Sequence, residues 1–216
     1  MKKGLTELVF ILDRSGSMSG LESDTIGGYN SLLDKQKKED GEAVATTVLF
    51  DDRYELLHDR VDLKEIQPIS HKEYFVRGTT ALLDAVGKTI NRISYVHKHI
   101  REEDRPENVM FVITTDGMEN ASREYTYKNI KDMISRQKKE YNWEFIFLGA
   151  NIDAEATAES IGINRDMAAS FVSDSKGTEL NYDVIGEAVS CMRENRSVSR
   201  DWKKRIDEDM RKRKNK

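Results

Sequence analysis

The fold is decided by the stretch Leu8-Val9-Phe10-Ile11-Leu12-Asp13-Arg14-Ser15-Gly16-Ser17, in which a short apolar run is followed directly by polar residues. Five apolar residues with β-branched and aromatic members, stopped by Gly and Ser, predict a buried strand that leads into a tight loop. Ligands of open α/β sheets bind at the carboxyl ends of the strands, and this end carries Asp13, Ser15 and Ser17. One carboxylate and two hydroxyl groups, with no His or Cys among them, suit a hard cation such as Mg²⁺.

Strand-like and helix-like segments alternate along the rest of the chain. Strands are predicted at residues 5–12, 42–50, 53–58, 108–114, 143–148 and 168–172, and helices at residues 23–38, 81–98, 126–140, 153–160 and 178–194. Ser23 or Asp24 is expected to cap the first of these helices, and Asp153 the fourth. This alternation favours right-handed crossovers and a mostly parallel sheet that is covered on both faces. The short turn Asp51-Asp52 makes the third strand antiparallel to the second. We therefore predict an α/β, doubly wound, Rossmann-like fold with a mostly parallel six-stranded sheet and one antiparallel edge strand.

Composition indicates one domain with an appendage. The chain has 216 residues, of which 34% are charged and 38% are apolar, and it contains only 2 Pro. Its net charge is −4, but residues 193–216 contain 11 Lys or Arg and 5 Asp or Glu, a local charge of +6 that leaves −10 on the rest. We predict a domain over residues 1–195 and a basic helical extension or tail over residues 196–216. An acidic body with a basic tail gives no general case for nucleic-acid binding.

The single cysteine and the short apolar runs indicate the compartment. Cys191 has no partner for an internal disulfide, which fits a reducing environment, and a small residue on a helix is a simpler interpretation than a reactive thiol. The apolar run of residues 8–12 is too short for the core of a signal peptide, and no run approaches a membrane-spanning length. We expect a cytoplasmic protein without a membrane partner.

Two further loops carry residues of the same chemical kind. Thr80 lies just before a predicted helix, and Asp116 directly follows the fourth predicted strand. The first and fourth strands of a doubly wound sheet can lie side by side, at the point where the strand order reverses. We therefore expect the loop with Asp13, Ser15 and Ser17 to meet the loops with Thr80 and Asp116 at one edge of the sheet.

These three loops resemble the metal-binding pattern of von Willebrand factor A domains, the module also found as the inserted domain of integrins. That pattern is Asp-x-Ser-x-Ser, then a Thr, then an Asp. The three pieces stand here as Asp13-Arg14-Ser15-Gly16-Ser17, Gly78-Thr79-Thr80-Ala81-Leu82 and Thr115-Asp116-Gly117. The resemblance extends over about residues 6–194, and it rests on all three pieces occurring in order, each at the end of a strand or the start of a helix.

The resemblance implies a metal-ion-dependent adhesion site and a binding module rather than an enzyme. Ser15, Ser17 and Thr80 would then offer hydroxyl ligands, while Asp13 and Asp116 bind the metal directly or through water. Mg²⁺ is the usual ion of this site, and Mn²⁺ or Ca²⁺ are its substitutes. Mg²⁺ takes about six oxygen ligands, so these five side chains leave a position for an Asp or Glu of a partner protein.

Two enzyme functions remain as alternatives. Gly16-Ser17-Met18-Ser19-Gly20 resembles the Gly-x-Ser-x-Gly pattern of esterases, with Ser19 as nucleophile, but Met18 occupies the central position where the pattern has its Ser. That fold also requires a later His, and none follows His99. A metal-dependent phosphoester hydrolase would need a second Asp two residues after the first, where Ser15 stands, and a Lys. The phosphate-binding Gly-x-x-x-x-Gly-Lys-Ser/Thr loop is absent from the sequence.

The remaining polar residues have simpler explanations. Ser, Thr and Asp at these positions could each cap the helix that follows, although five of them at three loops argue against this for the whole set. The four histidines lack the spacing of a transition-metal site, and we expect surface or capping roles for each of them. They are His58, His71, His97 and His99.

Overall fold

The computed structural model describes residues 1–194 and 196–214, and strands alternate with helices as the sequence predicts. The strands are β1 (Lys2–Asp13), β2 (Glu42–Phe50), β3 (Tyr54–Asp62), β4 (Pro106–Thr115), β5 (Glu144–Ala150) and β6 (Ala168–Phe171). The helices are α1 (Glu22–Gln36), α2 (Leu82–His99), α3 (Tyr127–Tyr141), α4 (Ala154–Ser160), α5 (Ser175–Arg193) and α6 (Lys204–Lys214). None of the helices in these two ranges combines the length and apolar character that crossing a membrane requires.

The six strands form one sheet in the order β3-β2-β1-β4-β5-β6. Every neighbouring pair is parallel except β2 and β3, which are antiparallel. From β1 the chain adds β2 and β3 on one side of the sheet. It then adds β4, β5 and β6 on the other side of β1, so the strand order reverses between β1 and β4. This confirms the predicted doubly wound sheet with one antiparallel edge strand and places the ligand-binding position beside the end of β1.

Both faces of β1 are buried, which explains its unbroken apolar run. Leu8, Phe10 and Leu12 belong to the core between the sheet and helices α1 and α5. Val9 and Ile11 point to the other face and belong to the core beneath α2, α3 and α4. Because successive side chains of a strand alternate between its faces, a strand covered by helices on both sides has to be apolar throughout.

The first helix begins without the predicted side-chain cap. We expected Ser23 or Asp24 to cap it, but α1 begins at Glu22, and Leu21 occupies the capping position without a side-chain hydrogen bond. Two acidic residues in the first turn, Glu22 and Asp24, interact favourably with the positive end of the helix dipole instead. The expectation for Asp153 is confirmed, since its carboxylate accepts a hydrogen bond from the backbone N–H of Ala156 at the start of α4.

Strand β3 extends beyond the predicted range 53–58 because it contains a bulge. The pairing register with β2 shifts on either side of Thr47, and Arg60 has a φ of +52°. The backbone N–H of Arg60 donates to Thr46 Oγ1 at 3.1 Å, and its Nε donates to Glu7 Oε1 at 2.9 Å. Residues other than glycine rarely adopt this backbone conformation. In Arg60 it is held by hydrogen bonds to Thr46 of β2 and Glu7 of β1.

The prediction of a surface or capping role is wrong for His97. Its ring is buried, and its Nε2 lies 2.7 Å from Glu7 Oε2 in the interior. Glu7 is completely buried on β1, and a buried carboxylate needs hydrogen-bonding partners, which His97 and Arg60 supply. His99 does act near a helix end, where its Nδ1 lies 2.7 Å from the carbonyl oxygen of Tyr95.

The C-terminal segment packs along β6 at the edge of the sheet. Lys203 Nζ donates to the carbonyl oxygen of Ala168 at 2.7 Å and pairs with Glu155 at 2.6 Å. Trp202 Nε1 donates to the carbonyl oxygen of Asp166 at 2.8 Å, and Ile206 of α6 is 1% exposed. Covering an edge strand in this way protects its unpaired backbone groups from other chains.

Truncating Ile206 tests whether α6 belongs to the cooperative folding unit. We expect Ile206→Ala to lower the free energy of unfolding by about 2–4 kcal/mol, because a fully buried aliphatic side chain is replaced by a cavity. Lys212→Ala, on an exposed position of the same helix, is the control and should change it by less than about 0.5 kcal/mol. Urea denaturation measures both, and equal values for the two variants would show that α6 does not contribute to the fold.

Candidate metal site

Three hydroxyl groups meet at the end of β1. Ser15 Oγ lies 3.0 Å from Ser17 Oγ, and Thr80 Oγ1 donates to Ser15 Oγ at 3.0 Å. Ser15 and Thr80 are buried, whereas Ser17 is exposed, so the group opens to solvent on one side. The loop before α2 therefore meets the loop after β1, as the sequence predicts.

The loop after β4 reaches the same point through Gly117. A Cβ at this position would lie 2.9 Å from Thr80 Oγ1 and 3.0 Å from Ser17 Oγ. Such distances are too short for ordinary contacts, so only a residue without a side chain allows the backbone to approach the hydroxyl groups this closely. Gly117 directly follows Asp116, and all three predicted loops are therefore in contact.

Asp13 is buried beneath the hydroxyl groups. Its Oδ1 accepts the backbone N–H of Ser15 at 2.7 Å, and its Oδ2 accepts the hydroxyl of Thr115 at 2.6 Å. Burial raises the pKa of the Asp13 carboxyl above its ordinary value, although hydrogen bonds from Ser15 and Thr115 act in the opposite direction. The hydroxyl of Tyr74 donates to the carbonyl oxygen of Asp13 at 2.5 Å and fixes the end of the strand.

Asp116 is held by two residues that our sequence analysis did not include. Its Oδ2 accepts the hydroxyl of Ser173 at 2.5 Å, and its Oδ1 accepts the side-chain amide of Asn151. Burial raises the pKa of the Asp116 carboxyl, and these two hydrogen bonds oppose the rise. Asn151 follows β5 and Ser173 lies just beyond β6. Both stand at carboxyl ends of strands, so the rule that singled out Asp13 could have identified them.

A buried arginine connects the loops that carry the hydroxyl groups. The Arg14 side chain has no solvent exposure, and it donates to Asp51 Oδ2 at 3.0 Å and to Glu55 Oε2 at 2.6 Å. Arg77 also donates to Asp51 Oδ2, at 2.6 Å. Burial acts to raise the pKa of Asp51, but the hydrogen bonds and charges of Arg77 and Arg14 outweigh it, and the pKa lies below its ordinary value.

Backbone hydrogen bonds complete this connection. Arg77 N–H donates to the carbonyl oxygen of Arg14 at 2.9 Å, and Ala81 N–H donates to that of Asp51 at 2.9 Å. Thr80 itself is held on both sides by Asn120, whose Oδ1 accepts the Thr80 N–H at 2.9 Å and whose N–H donates to the Thr80 carbonyl at 3.0 Å. Thr80 therefore has little freedom to leave the cluster.

The donor set fits a hard divalent cation. Within residues 1–194 and 196–214, no three His, Cys, Asp or Glu side chains gather into a metal-binding group. Three of the predicted ligands are hydroxyls in contact with one another, Asp13 is bonded to Ser15, and the carboxylate of Asp116 contacts Asn151 and Ser173. A set of oxygen donors without nitrogen or sulfur suits Mg²⁺, Mn²⁺ or Ca²⁺ better than a transition metal that prefers soft ligands. Whether the five residues bind a metal stays a prediction.

The structure gives no support to an esterase site at Ser19. His71 lies 3.3 Å from Ser23, His97 contacts Glu7, and His99 contacts the backbone of Tyr95. None of these three contacts orients an imidazole towards Ser19, as nucleophilic catalysis by a serine requires.

Neither a family model nor a curated protein sequence matches this chain, but solved structures do. Proximal thread matrix protein 1 from the mussel byssus aligns with 87% of this chain at 13% identity and a TM-score of 0.58. The ArnB paralog VWA2 from Sulfolobus acidocaldarius aligns with 87% at 18% identity and a TM-score of 0.54. A von Willebrand factor type A protein from Catenulispora acidiphila aligns with 86% at 13% identity and a TM-score of 0.58.

The chain has the fold of a von Willebrand factor A domain. It spans less than half the length of these solved chains, since the alignments cover 46%, 45% and 42% of them. The mussel protein has also been solved with zinc at its metal-ion-dependent adhesion site, in a structure with a TM-score of 0.57 to this one. At these identities the likeness concerns the fold alone.

Removing Asp51 tests the connection between the loops. We expect Asp51→Ala to lower the free energy of unfolding by about 3–5 kcal/mol, because it leaves the Arg14 guanidinium buried without its main partner. The neighbouring Asp52 is exposed, and Asp52→Ala should change stability by less than about 0.5 kcal/mol. Thermal and urea denaturation of both variants provide the measurement. A small effect of Asp51→Ala would mean that Glu55 alone neutralises Arg14.

Proposed function

We propose that this von Willebrand factor A domain binds Mg²⁺ through Asp13, Ser15, Ser17, Thr80 and Asp116 and uses it to bind a carboxylate of a partner protein. The observation that carries the proposal is the contact between the hydroxyl groups of three separate loop residues above the buried Asp13. Ser15 Oγ lies 3.0 Å from both Ser17 Oγ and Thr80 Oγ1, and the described contacts give the three hydroxyls no common acceptor. Oxygens at this spacing could bind one cation together.

The charge balance of the site supports a carboxylate as the partner group. Asp13 and Asp116 together can at most neutralise a divalent ion, and the three hydroxyl ligands are neutral. When bound, Mg²⁺ would supply an electrophilic position that favours an anionic oxygen ligand. An Asp or Glu of another protein meets this requirement, and Ser17 lies on the exposed side from which it would approach.

The same proposal includes the organisation and the location of the protein. The domain would comprise residues 1–195, with residues 196–216 as a basic extension whose described part packs along β6. The half-buried Cys191 is the only cysteine, which supports a cytoplasmic location. No contact in the described residues favours either hydrolase alternative.

Substitutions at the hydroxyl cluster test metal binding without disturbing the core. We expect Thr80→Ala and Asp13→Ala each to lower the affinity for Mg²⁺ at least about tenfold, because each removes a ligand. Gly117→Ala should have a similar effect although it removes none, since its Cβ would displace the hydroxyls of Thr80 and Ser17. Isothermal titration calorimetry with Mg²⁺ measures the affinity, and circular dichroism verifies the fold.

The matched control for the glycine substitution is Gly27→Ala. A Cβ at Gly27 meets nothing within 4 Å, and alanine favours the helix in which it lies. Gly27→Ala should therefore keep the Mg²⁺ affinity of the unchanged protein. Unaltered Mg²⁺ binding in Thr80→Ala, Asp13→Ala and Gly117→Ala would refute the site.

Partner binding is tested by affinity capture. The immobilised domain is exposed to extract in Mg²⁺ and in EDTA, and captured proteins are identified by mass spectrometry. We expect a partner that is retained in Mg²⁺, released by EDTA and not retained by Thr80→Ala. Replacement of one Asp or Glu of that partner should abolish retention. Partners that bind equally in EDTA would contradict capture through the metal.

The affinity for Mg²⁺ should fall as the pH is lowered. Burial raises the pKa of Asp13 and Asp116 in the metal-free protein, so protons compete with the ion at a higher pH than they would for exposed carboxyls. The dependence appears as the pH falls through the raised pKa values. Calorimetry in buffers of different ionisation enthalpy would show proton release on binding that increases as the pH is lowered, and an affinity that does not change with pH would oppose the assignment.

The raised pKa values of Asp13 and Asp116 also determine how the stability of the metal-free protein changes with pH. A carboxyl whose pKa is raised in the folded state contributes stability below its unfolded-state pKa, and that contribution is lost as the pH rises through the folded-state value. Mg²⁺ should therefore stabilise the protein more at neutral pH than at acidic pH, which thermal denaturation with and without the ion can measure.

A further inference from the structure

A cavity of about 130 Å³ lies between α2 and α3, at the end of the sheet opposite the candidate metal site. Arg105 stands immediately before β4 and Trp143 immediately before β5, so the cavity adjoins the amino ends of these strands. Its wall combines polar, basic and aromatic side chains, and six of them are named first. They are Ser94, His97, Lys98, Arg105, Gln137 and Trp143.

Two polar groups of the cavity wall are buried without a partner. Arg105 Nε and Gln137 Oε1 are inaccessible to solvent and make no hydrogen bond within the described part of the chain. Gln137 is only 7% exposed, and its amide nitrogen already donates to Ser94 Oγ at 3.0 Å. Buried polar groups are satisfied in most proteins, and each unsatisfied one points to a missing ligand or water.

The cavity favours an anion. Lys98, Arg105 and Arg136 line it, and no Asp or Glu is among its described lining residues. His97 of the cavity wall contacts the buried carboxylate of Glu7. This carboxylate is already bonded to both Arg60 and His97. Arg136 pairs with Glu140 on the surface, but Arg105 has no such acidic partner in the described residues. A carboxylate in the cavity would provide a counter-charge for the Arg105 guanidinium.

The apolar part of the wall suits a flat ring. Trp143 is buried, stacks on Phe111 with ring centroids 5.3 Å apart, and meets the His97 ring edge-on at 5.5 Å. Met133 adds a flexible apolar surface to the wall. A cavity of about 150 Å³ in another protein holds one benzene molecule. This cavity is slightly smaller, at about 130 Å³, so one six-membered ring is the most that it can hold, and the charged substituent has to lie against the arginine.

We propose that this cavity binds a small aromatic carboxylate with a single ring. The carboxylate accepts hydrogen bonds from Arg105, the ring lies against Trp143, and a ring hydroxyl or amino group, or one water, donates to Gln137. This site shares no residue with the candidate metal site, and it stands or falls independently of metal binding. A cavity that held only water would not prefer an aromatic carboxylate to a neutral molecule of the same shape.

Benzoate is the probe, titrated into the whole protein in EDTA so that its carboxylate cannot bind a metal ion. Binding is followed by the ¹H–¹⁵N signals of the two tryptophan side chains. We expect a saturable shift of the Trp143 indole signal and none of Trp202, whose indole N–H is bonded to Asp166 away from the cavity. Trp202→Phe assigns the two signals.

A neutral ligand and a matched pair of variants test the charge. Benzamide has nearly the same shape as benzoate without its charge and should bind at least about tenfold more weakly. Arg105→Met should weaken benzoate binding by a similar factor. Arg101→Met removes a nearby arginine that is 75% exposed and paired with Glu103 and Asp104, and it should leave benzoate binding unchanged.

Each alternative result would overturn the proposal. These results are no shift of Trp143 at the highest soluble benzoate concentration, equal affinity for benzoate and benzamide, or equal losses in Arg105→Met and Arg101→Met. If Arg105→Met fails to fold, Ser94→Leu replaces it, because a larger side chain there fills the cavity from α2. Benzoate must then lose its effect on Trp143, and retained binding in Ser94→Leu would refute the site.

Discussion

The candidate metal site depends on the buried ion pair between Arg14 and Asp51. A guanidinium group without solvent exposure is tolerated only if charged or polar partners surround it, and here Asp51, Glu55 and the Phe75 ring, 5.3 Å away, do so. Arg14 lies inside the loop that carries Ser15, and Asp51 lies directly after β2. Burying this pair correctly therefore requires the loop after β1 to take one conformation, which in turn sets the positions of the hydroxyl groups.

The carboxylates of the site are oriented in a different way from its hydroxyls. Asp13 and Asp116 each receive hydrogen bonds from neutral side chains, namely Thr115 for the first and Ser173 and Asn151 for the second. Such bonds lower the cost of keeping an ionised carboxylate in a buried position and fix the direction in which its remaining lone pairs point. Thr115, Ser173 and Asn151 thus orient the two carboxylates without a bound ion.

Sequence patterns predicted the strands, their arrangement and the meeting of the three loops, because apolar runs and strand-end residues are local signals. The partners of Arg14 and Glu7 left no such signal: Asp51 lies 37 residues from Arg14, and His97 lies 90 residues from Glu7. Arg14 occupies a variable place in the Asp-x-Ser-x-Ser pattern, and His97 looks like a polar residue at a helix end. Only the three-dimensional pairing shows that these residues are buried and why charge is tolerated there.

The direction of the parallel strands also separates the candidate metal site from the candidate anion cavity. At the carboxyl ends of β1 and β4 the chain leaves the sheet through loops with hydroxyls and carboxylates, which suits a cation. At the amino ends of β4 and β5 it enters from segments that contain Arg105 and Trp143, beneath the last turns of α2 and α3. Lysine and arginine are favoured in last turns because the helix dipole is negative there, and α3 has Lys138 and Lys139 in that position. The position of Lys98 in the last turn of α2 is therefore a consequence of the helix direction, and together with Arg105 and Arg136 it leaves the cavity suited to an anion.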